Sequence, residues 1–447
     1  MSTLLEPLTE GWLVGGAIRD RLLGRPVTDL DVVVDGEPEK AARAVGAVQR
    51  GPVFPLSETF GAWRALSRDR TATYDFSPLQ GATIEEDLSK RDFTVNAMAE
   101  PVGGGELIDP HGGEADLREG ILRVVGPQAY EADPLRPLRL VRFAAELGFR
   151  VDPETERLTR SAAPRLSEPS PERVFAELRR TVAADGCVAG VELADELGVL
   201  GAILPELTAL KGIEQSRFHH LDAFAHTIEV LRMLVERDLD PAVEAVLGVS
   251  LADEMTRGEA LRFGALFHDV GKAATVGRRP DGRITFIGHD AAGEEMVADV
   301  FRRLRASEKL RSFVSRLTRD HLVLGFMVHH RPLDRRAIHA YLRRCEPVEV
   351  EVTVLSCADR LATRGEDQEP WIDAHLEMAR DVMAAALAWR EHGPPELPLR
   401  GDELGIEPGP QAGELLRALE AAVYAGEVKD REQALALVSA LREDPTR

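Results

Sequence analysis

Two short runs constrain the fold of this chain more than any other part of it: Trp12-Leu-Val-Gly-Gly16, and Asp29-Leu-Asp-Val-Val-Val34. The second begins by alternating acidic with apolar residues and ends in β-branched ones, so it reads as a strand. Asp35-Gly36 supplies the turn after it. Between the runs, Ala17 to Leu23 carries a helical pattern closed by Gly24-Arg-Pro26. Further strands are expected near Ala62–Leu66 and Thr71–Phe76, so the first ~120 residues form a small α/β unit. From about Asp133 the pattern is helical almost throughout, with punctuation at Pro153, Pro169-Ser-Pro171 and Pro205. Residues 206–218 read as a linker into a second helical block that runs to about residue 365. The polar stretch Arg364-Gly-Glu-Asp-Gln-Glu-Pro370 and Gly393-Pro-Pro395 then bracket a helical tail.

At 447 residues the chain exceeds one ordinary domain, since domains run to roughly 100–200 residues each. Hydrophobic and charged shares of 44% and 29%, with only 5% aromatics, are those of a soluble, mainly helical protein. There is no uninterrupted apolar run of membrane-spanning length, and the first residues lack a basic region and a cleavage-type site, so a cytoplasmic location is expected. Cys187, Cys345 and Cys357 are too scattered for a thiolate cage and read as buried small hydrophobes. The net charge of −21 argues against a nucleic-acid partner, because backbone affinity comes from cations that neutralise phosphates. What matters, however, is the field at a groove, and arginines gathered locally suffice on an acidic body.

Gly15-Gly16-Ala-Ile-Arg19-Asp20 followed by Asp29-Leu-Asp31 has a specific chemical logic. Strand residues two apart face the same side, so both carboxylates can reach the same ions. Oxygen donors of this kind suit Mg²⁺ carrying a nucleoside triphosphate, with an RNA 3′-hydroxyl as the attacking group. Gly15 and Gly16 let backbone N–H groups approach the triphosphate, and Arg19 adds a fixed positive fork. Taken singly, Asp-x-Asp pairs and Gly-Gly turns are common surface features.

The whole run LVGGAIRDRLLGRPVTDLDVVV resembles the active-site signature of the tRNA nucleotidyltransferase and poly(A) polymerase family, in its bacterial class II branch. Three more blocks match in order: EEDLSKRDFTVNAMA at 85–99, LIDPHGGEADLREGILRVVG at 107–126 and DPLRPLRLVRFAAELGF at 133–149. The resemblance implies template-independent addition of C and A residues to a tRNA 3′ end from CTP and ATP. It implies an α+β architecture: a polymerase-β-like head (1–125), a helical neck and body (126–215), a helical HD domain (216–365) and a helical tail (366–447). By the same resemblance Gly15, Gly16, Arg19, Arg91, Asp92 and Asn96 bind the nucleotide. Asp29 and Asp31 are the catalytic metal ligands, and Asp133, Arg136, Arg139 and Arg142 read the incoming base.

The helix spacing agrees with that last assignment: Arg136, Arg139 and Arg142 follow at i, i+3 and i+6, so neighbours adjoin. A carboxylate beside a guanidinium can accept from the exocyclic amine of C or A while the guanidinium donates to ring acceptors. Asp133-Pro134 is equally a good helix start, with Asp as the cap and Pro at the first helical position. The chain departs from the family at Ala132, where a Glu is usual, and at His111, where Phe is commoner.

A second constellation begins at Phe267-His268-Asp269-Val-Gly-Lys272, at the end of an apolar helix pattern from Leu261 to Phe267. Imidazole and carboxylate together suit a divalent metal. With His226 upstream, in His219-His220-Leu-Asp-Ala-Phe-Ala-His226, and Asp359 downstream, the order resembles the HD phosphohydrolase superfamily. His226, His268, Asp269 and Asp359 are then the implied ligands of a divalent ion. Gly288-His289-Asp290 and His329-His330 are further candidates for a second metal or a substrate phosphate. Two readings compete with this one: an HD phosphohydrolase whose head only recruits RNA, and a silent RNA-binding module. The intact Asp29/Asp31 pair with Arg19 and Arg91 argues against both. Product length, whether CCA, CC, A or poly(A), is not encoded in these motifs.

Overall fold

The computed structural model describes Leu8 and residues 10–57, 61–215, 220–364 and 369–443. The chain divides into two compact units, Met1–Ile203 and Leu204–Arg447.

In the first unit, β1 (Trp12–Val14), β2 (Asp29–Val34), β3 (Val53–Ser57), β4 (Ala62–Leu66), β5 (Thr73–Pro78) and β6 (Ala99–Pro101) form one sheet. Its order is β3-β4-β5-β2-β1-β6. All neighbours are antiparallel except β2 and β5, which run parallel with Asp31 in register with Asp75. The alternation in β2 works as its composition implies: Asp29 and Asp31 are exposed while Leu30 and Val32 are buried. Helices α1 (Gly16–Leu22), α2 (Pro38–Gln49) and α3 (Ile84–Leu88) accompany the sheet. Val14, Val33, Ile84, Leu88, Ala97 and Ala99 form one apolar cluster there. Burying a Val or Leu side chain of this kind is worth about 1.5–3 kcal/mol.

Helices α4 (Gly113–Glu119) and α5 (Gln128–Ala132) lead into α6 (Arg136–Leu147), α7 (Pro153–Ala162), α8 (Pro171–Ala183), α9 (Cys187–Glu196) and α10 (Val199–Ile203). A two-residue parallel bridge joins β7 (Ile121–Leu122) to β8 (Arg150–Val151). The proline punctuation marks real helix starts. Asp152 and Ser170 cap α7 and α8 with their side chains, and Pro153 and Pro171 take the first helical position. Helix α6 buries Leu138, Leu140, Val141 and Phe143, and packs against α8 and α9.

The second unit begins with α11 (Pro205–Thr208). The segment read as a linker therefore starts as a helix, and the division between the two compact units falls at 203/204. Leu204, Leu207 and Leu210 are fully buried. It continues through α12 (Ala223–Val235), α13 (Pro241–Leu247), α14 (Arg257–Phe267), α15 (Lys272–Thr275), α16 (His289–Arg303), α17 (Glu308–Asp320), α18 (Val323–Met327), α19 (Arg335–Cys345) and α20 (Glu349–Ala362). Two small hairpins interrupt the helices: β9 (Ser250–Ala252) with β10 (Met255–Thr256), and β11 (Gly277–Arg278) with β12 (Ile284–Thr285). Strands of two or three residues are too short to leave an alternating pattern. Helices α21 (Glu369–His392), α22 (Pro410–Ala425) and α23 (Arg431–Glu443) complete the chain. The tail has its own core of Leu399, Leu404, Leu415, Leu419 and Val438. Among the described residues no helix is long and apolar enough to cross a membrane.

Candidate functional site

Gly15 follows β1 with a positive φ of +70°, its amide donating to Met98 O at 3.3 Å. A Cβ there would lie 3.1 Å from Arg91 Nη1, so glycine is the residue that fits. One turn into α1, Arg19 is buried, and its Nη1 donates to Asn96 Oδ1 at 2.7 Å while Nε and Nη2 reach the Asp20 carboxylate at 2.9 Å. Asn96 Nδ2 donates in turn to Asp92 Oδ1 at 3.1 Å. Arg139 Nε and Nη2 donate to Asp92 Oδ2, at 2.9 and 2.7 Å. A continuous polar chain, Arg19–Asn96–Asp92–Arg139, thus ties the start of α1 to α6. Burial alone would push Asp92 up, but the Arg139 guanidinium and the Asn96 and Phe93 N–H donors outweigh it and hold its carboxyl at about 2.

Asp29 and Asp31 sit on the open side of β2 beside this chain. Arg64 Nε and Nη2 both donate to Asp75, each at 2.7 Å, on the neighbouring strand. The Asp31 carboxyl is open to solvent yet sits deep enough among neighbouring atoms to lose hydration, which raises its pKa. Asp75 and Asp29 add to the rise, and Arg91 and Arg64 oppose it. A site whose own carboxylates repel one another favours an added cation. Arg91 is held by Asp87 at 3.1 Å.

Along α6 the three arginines have different surroundings. Arg136 is half-buried and donates to the backbone carbonyls of Arg91, Ala129 and Lys90 at 3.0, 3.0 and 2.7 Å. Arg139 also reaches Glu177 at 3.3 Å. Arg142 is only 2% exposed, with Nε donating to Glu177 and Nη1 to Glu146 at 2.7 Å. Asp133 precedes α6 by a turn: its Oδ1 accepts from Leu135 N at 3.1 Å and its Oδ2 pairs with Arg173 at 2.7 Å.

In the second unit, His226, His268 and Asp359 form one group with ligand atoms within 4.8 Å of one another; Asp269, His289 and His321 form another. Each residue stands at a helix end or first turn: His226 one turn after the Asp222 cap of α12, His268 closing α14, His289 opening α16 and His321 closing α17. Gly271 makes the approach possible, since a Cβ there would lie 2.1 Å from His289 O. His268, His289 and His321 share one orientation. The Nδ1 of each lies 2.7–2.8 Å from the carbonyl three residues earlier, of Ala265, Phe286 and Thr318. A carbonyl accepts only, so each Nδ1 carries the proton and each Nε2 faces the centre. His268 Nε2 is buried without a hydrogen-bond partner. Lys272 Nζ lies 2.5 Å from Asp269 Oδ2 and donates to Gln215 Oε1 at 2.6 Å. Burial would raise the carboxyls of Asp269 and Asp359, but His268 with Lys272, and His226, hold them below the ordinary range. Burial, then the neighbouring His268, pushes the His321 imidazole down to about 4. A cavity of about 1150 Å³ opens onto this cluster, lined among others by Arg319, His329, Arg360 and Trp371.

The Poly A polymerase head domain model matches residues 11–79 and 57–123, the "probable RNA and SrmB-binding site of polymerase A" matches 148–211, and the HD domain matches 223–364. An A-adding tRNA nucleotidyltransferase of Deinococcus radiodurans is 36% identical over 97% of this chain and 95% of its own length. The chain belongs to the tRNA nucleotidyltransferase and poly(A) polymerase family. A CC-adding tRNA nucleotidyltransferase of Thermus thermophilus is 35% identical over 95% of the chain and 92% of its own. A Multifunctional CCA protein of Xanthomonas campestris is 35% identical over 93% and 98%. The fold matches that of a CCA-adding enzyme solved with ATP, with a TM-score of 0.69 and 22% identity, covering 98% of this chain and 94% of that one.

Of the expected family residues, Gly15, Gly16, Arg19, Asp29, Asp31, Arg91, Asp92 and Asn96 gather round one end of the head sheet, with Arg136 and Arg139 reaching the same 90–92 segment. Arg142 stands apart, turned onto the buried Glu177 and the half-buried Glu146. His226, His268, Asp269 and Asp359 do come together, and His289 joins them. His329 stacks near Trp371, at 5.6 Å between rings, and is in neither ligand group. His219 lies outside the described residues. Asp75 and His321 were missed. Asp75 interrupts two aromatics in a strand pattern, as Asp31 interrupts apolar residues, and His321 ends an amphipathic helix much as His268 does.

Proposed function

We propose that this nucleotidyltransferase adds C and A nucleotides to the 3′ end of tRNA, using CTP and ATP and releasing pyrophosphate in the cytoplasm. The observation that carries the reading is the pair Asp29 and Asp31 on the open side of β2, next to Gly15 and the Arg19–Asn96–Asp92–Arg139 chain. The donor set is oxygen only and its carboxylates repel one another, which fits Mg²⁺. Asp29 and Asp31 would hold it, and the ion supplies activation of the attacking hydroxyl and neutralisation of the leaving pyrophosphate. Gly15 and Gly16 leave room for the triphosphate against the backbone, and Arg91 offers it a guanidinium. Asn96 and Asp92 fix where Arg19 and Arg139 point, so that the base and the phosphates are held with little reorganisation. Asp133 and Arg136 present an acceptor and a donor fork for a base edge. Arg142 positions Glu177 and through it Arg139.

We further assign the HD unit a divalent ion held by His226, His268, Asp269 and Asp359, in a phosphohydrolase centre. The mixed nitrogen and oxygen donors and the unpartnered His268 Nε2 fit a borderline cation better than Mg²⁺. The deciding experiment offers tRNA transcripts ending before CCA, after C and after CC, each with CTP or ATP. Addition of CMP or AMP to at least one transcript is expected. No incorporation on any of them sinks the reading, and a long A tail on unrelated RNA moves the chain to the poly(A) polymerase branch.

A further inference from the structure

One row of side chains crosses the open face of the head sheet from its edge to its middle. Phe54 on β3 is in register with Arg64 on β4, Arg64 with Asp75 on β5, and Asp75 with Asp31 on β2. Residues in register point to the same side of a sheet. The opposite face is the one that α2 covers: Arg43 lies over the Trp63 ring at 5.4 Å, and a Cβ on Gly46 would meet Val53 Cγ2 at 2.2 Å. Phe54 is left 39% exposed on the open face. Asp75 accepts from Nε and Nη2 of Arg64, at 2.7 Å each, which fixes the plane of the guanidinium. Among the described residues nothing takes up Nη1, which remains for a further acceptor.

The two sides of Asp31 differ. Towards β1 stand Gly15, Arg91 and Asn96: a Cβ on Gly15 would lie 3.1 Å from Arg91 Nη1, 3.8 Å from Asn96 O and 3.9 Å from Asp31 Oδ2. That is the side proposed above for the triphosphate. In an in-line displacement the attacking oxygen enters opposite the leaving pyrophosphate. The RNA 3′-hydroxyl therefore arrives from the β5 side, across Asp75, Arg64 and Phe54. Neighbouring strands lie about 4.8 Å apart, so the row extends roughly 14 Å from Asp31 to Phe54, a reach that the last two nucleotides of a single strand cover. A lone exposed phenyl ring is ordinary on a protein surface. An aromatic ring beside a fixed guanidinium, in line with the reacting centre, is the pairing that holds single-stranded RNA, the ring by stacking and the guanidinium by a phosphate contact.

We propose that Phe54 and Arg64 receive the 3′ end of the RNA, Phe54 stacking on one of its last two bases and Arg64 Nη1 donating to the phosphodiester between them. This deepens the reading of Asp29 and Asp31 as the transfer site and rests on it. The test uses the full-length chain and a tRNA transcript that the parent extends. Phe54→Leu and Arg64→Gln should each raise KM for the tRNA about tenfold while KM for the nucleotide stays within about twofold. An abasic residue at one of the last two positions should cost the parent as much and cost Phe54→Leu nothing further. A methylphosphonate at the last linkage should stand in the same relation to Arg64→Gln. Independently, 5-iodocytidine at the last or penultimate position, irradiated with the parent protein, should crosslink to the peptide that contains Phe54. An unchanged KM for tRNA in both variants, or a full further loss when variant and altered RNA are combined, overturns the proposal. If a variant fails to fold, the crosslink decides, and one that maps only outside β3 and β4 overturns it. A parent that extends no transcript overturns the transfer-site reading and this site with it, whereas the other failures leave that reading standing.

Discussion

Arg139 places two N–H groups on a single oxygen of Asp92, Nε at 2.9 Å and Nη2 at 2.7 Å, and so fastens α6 to the segment that also holds Arg91 and Asn96. Asp92 is 6% exposed, so Arg139→Met strands a buried carboxylate, a loss of about 3–5 kcal/mol at neutral pH. The pH dependence has a definite sign. Asp92 titrates near 3.9 when unfolded and at about 2 when folded, so its contribution is complete above about pH 4 and disappears as the pH falls towards 2. Thermal melts of parent and Arg139→Met should differ widely at pH 7 and converge as the pH falls to about 2. A gap that does not narrow in acid would place the loss in packing instead.

How far the sequence carries can be judged from particular residues. Asp29 and Asp31 were legible because a strand has period two and each acidic residue interrupts an apolar run. The roles of Arg136, Arg139 and Arg142 were less so: helix spacing makes them neighbours but does not tell which one meets Glu146 and Glu177, because those partners lie 4 and 35 residues away from Arg142. Asp75 became significant only through the parallel pairing of β5 with β2, and His321 only through the meeting of α17 with α14 and α16. Pairings of this kind depend on tertiary contacts and leave no local periodicity.

Asp29→Ala and Asp31→Ala should each abolish nucleotide incorporation, at least 100-fold below the parent, with little change in melting temperature, since both side chains are exposed. Any phosphohydrolase activity proposed for the HD unit should be unchanged. Incorporation within about tenfold of the parent in either variant refutes the placement of the head metal.

Gly271→Ala should disable the HD centre without touching any ligand. The new Cβ meets the His289 backbone oxygen at 2.1 Å, and neither backbone can yield cheaply, so α16 must move away from the His268-Asp269 turn. Overpacking of this kind costs about 1–3 kcal/mol. Elemental analysis should show reduced metal content while nucleotide addition on tRNA stays within about twofold. Full metal retention would mean the helices separate without disturbing the ligands.

Asp133 separates two roles that the local sequence leaves superposed. Its Oδ1 accepts the Leu135 amide and its Oδ2 pairs with Arg173, which is 53% exposed, so Asp133→Asn keeps the first bond and weakens the second. An exposed pair of this kind is worth about 0–1 kcal/mol, and the melting temperature should fall by no more than a few degrees. At a base edge the two side chains differ sharply: a carboxylate only accepts, whereas an amide can turn its NH₂ towards the exocyclic amine of C or A. If Asp133 reads the base, the variant should add CMP and AMP about tenfold or more slowly relative to UMP and GMP, a shift of about 1.4 kcal/mol in discrimination. Competition assays with all four triphosphates measure that ratio directly. An unchanged ratio assigns Asp133 to capping the turn before α6, and leaves base selection to Arg136 and Arg139.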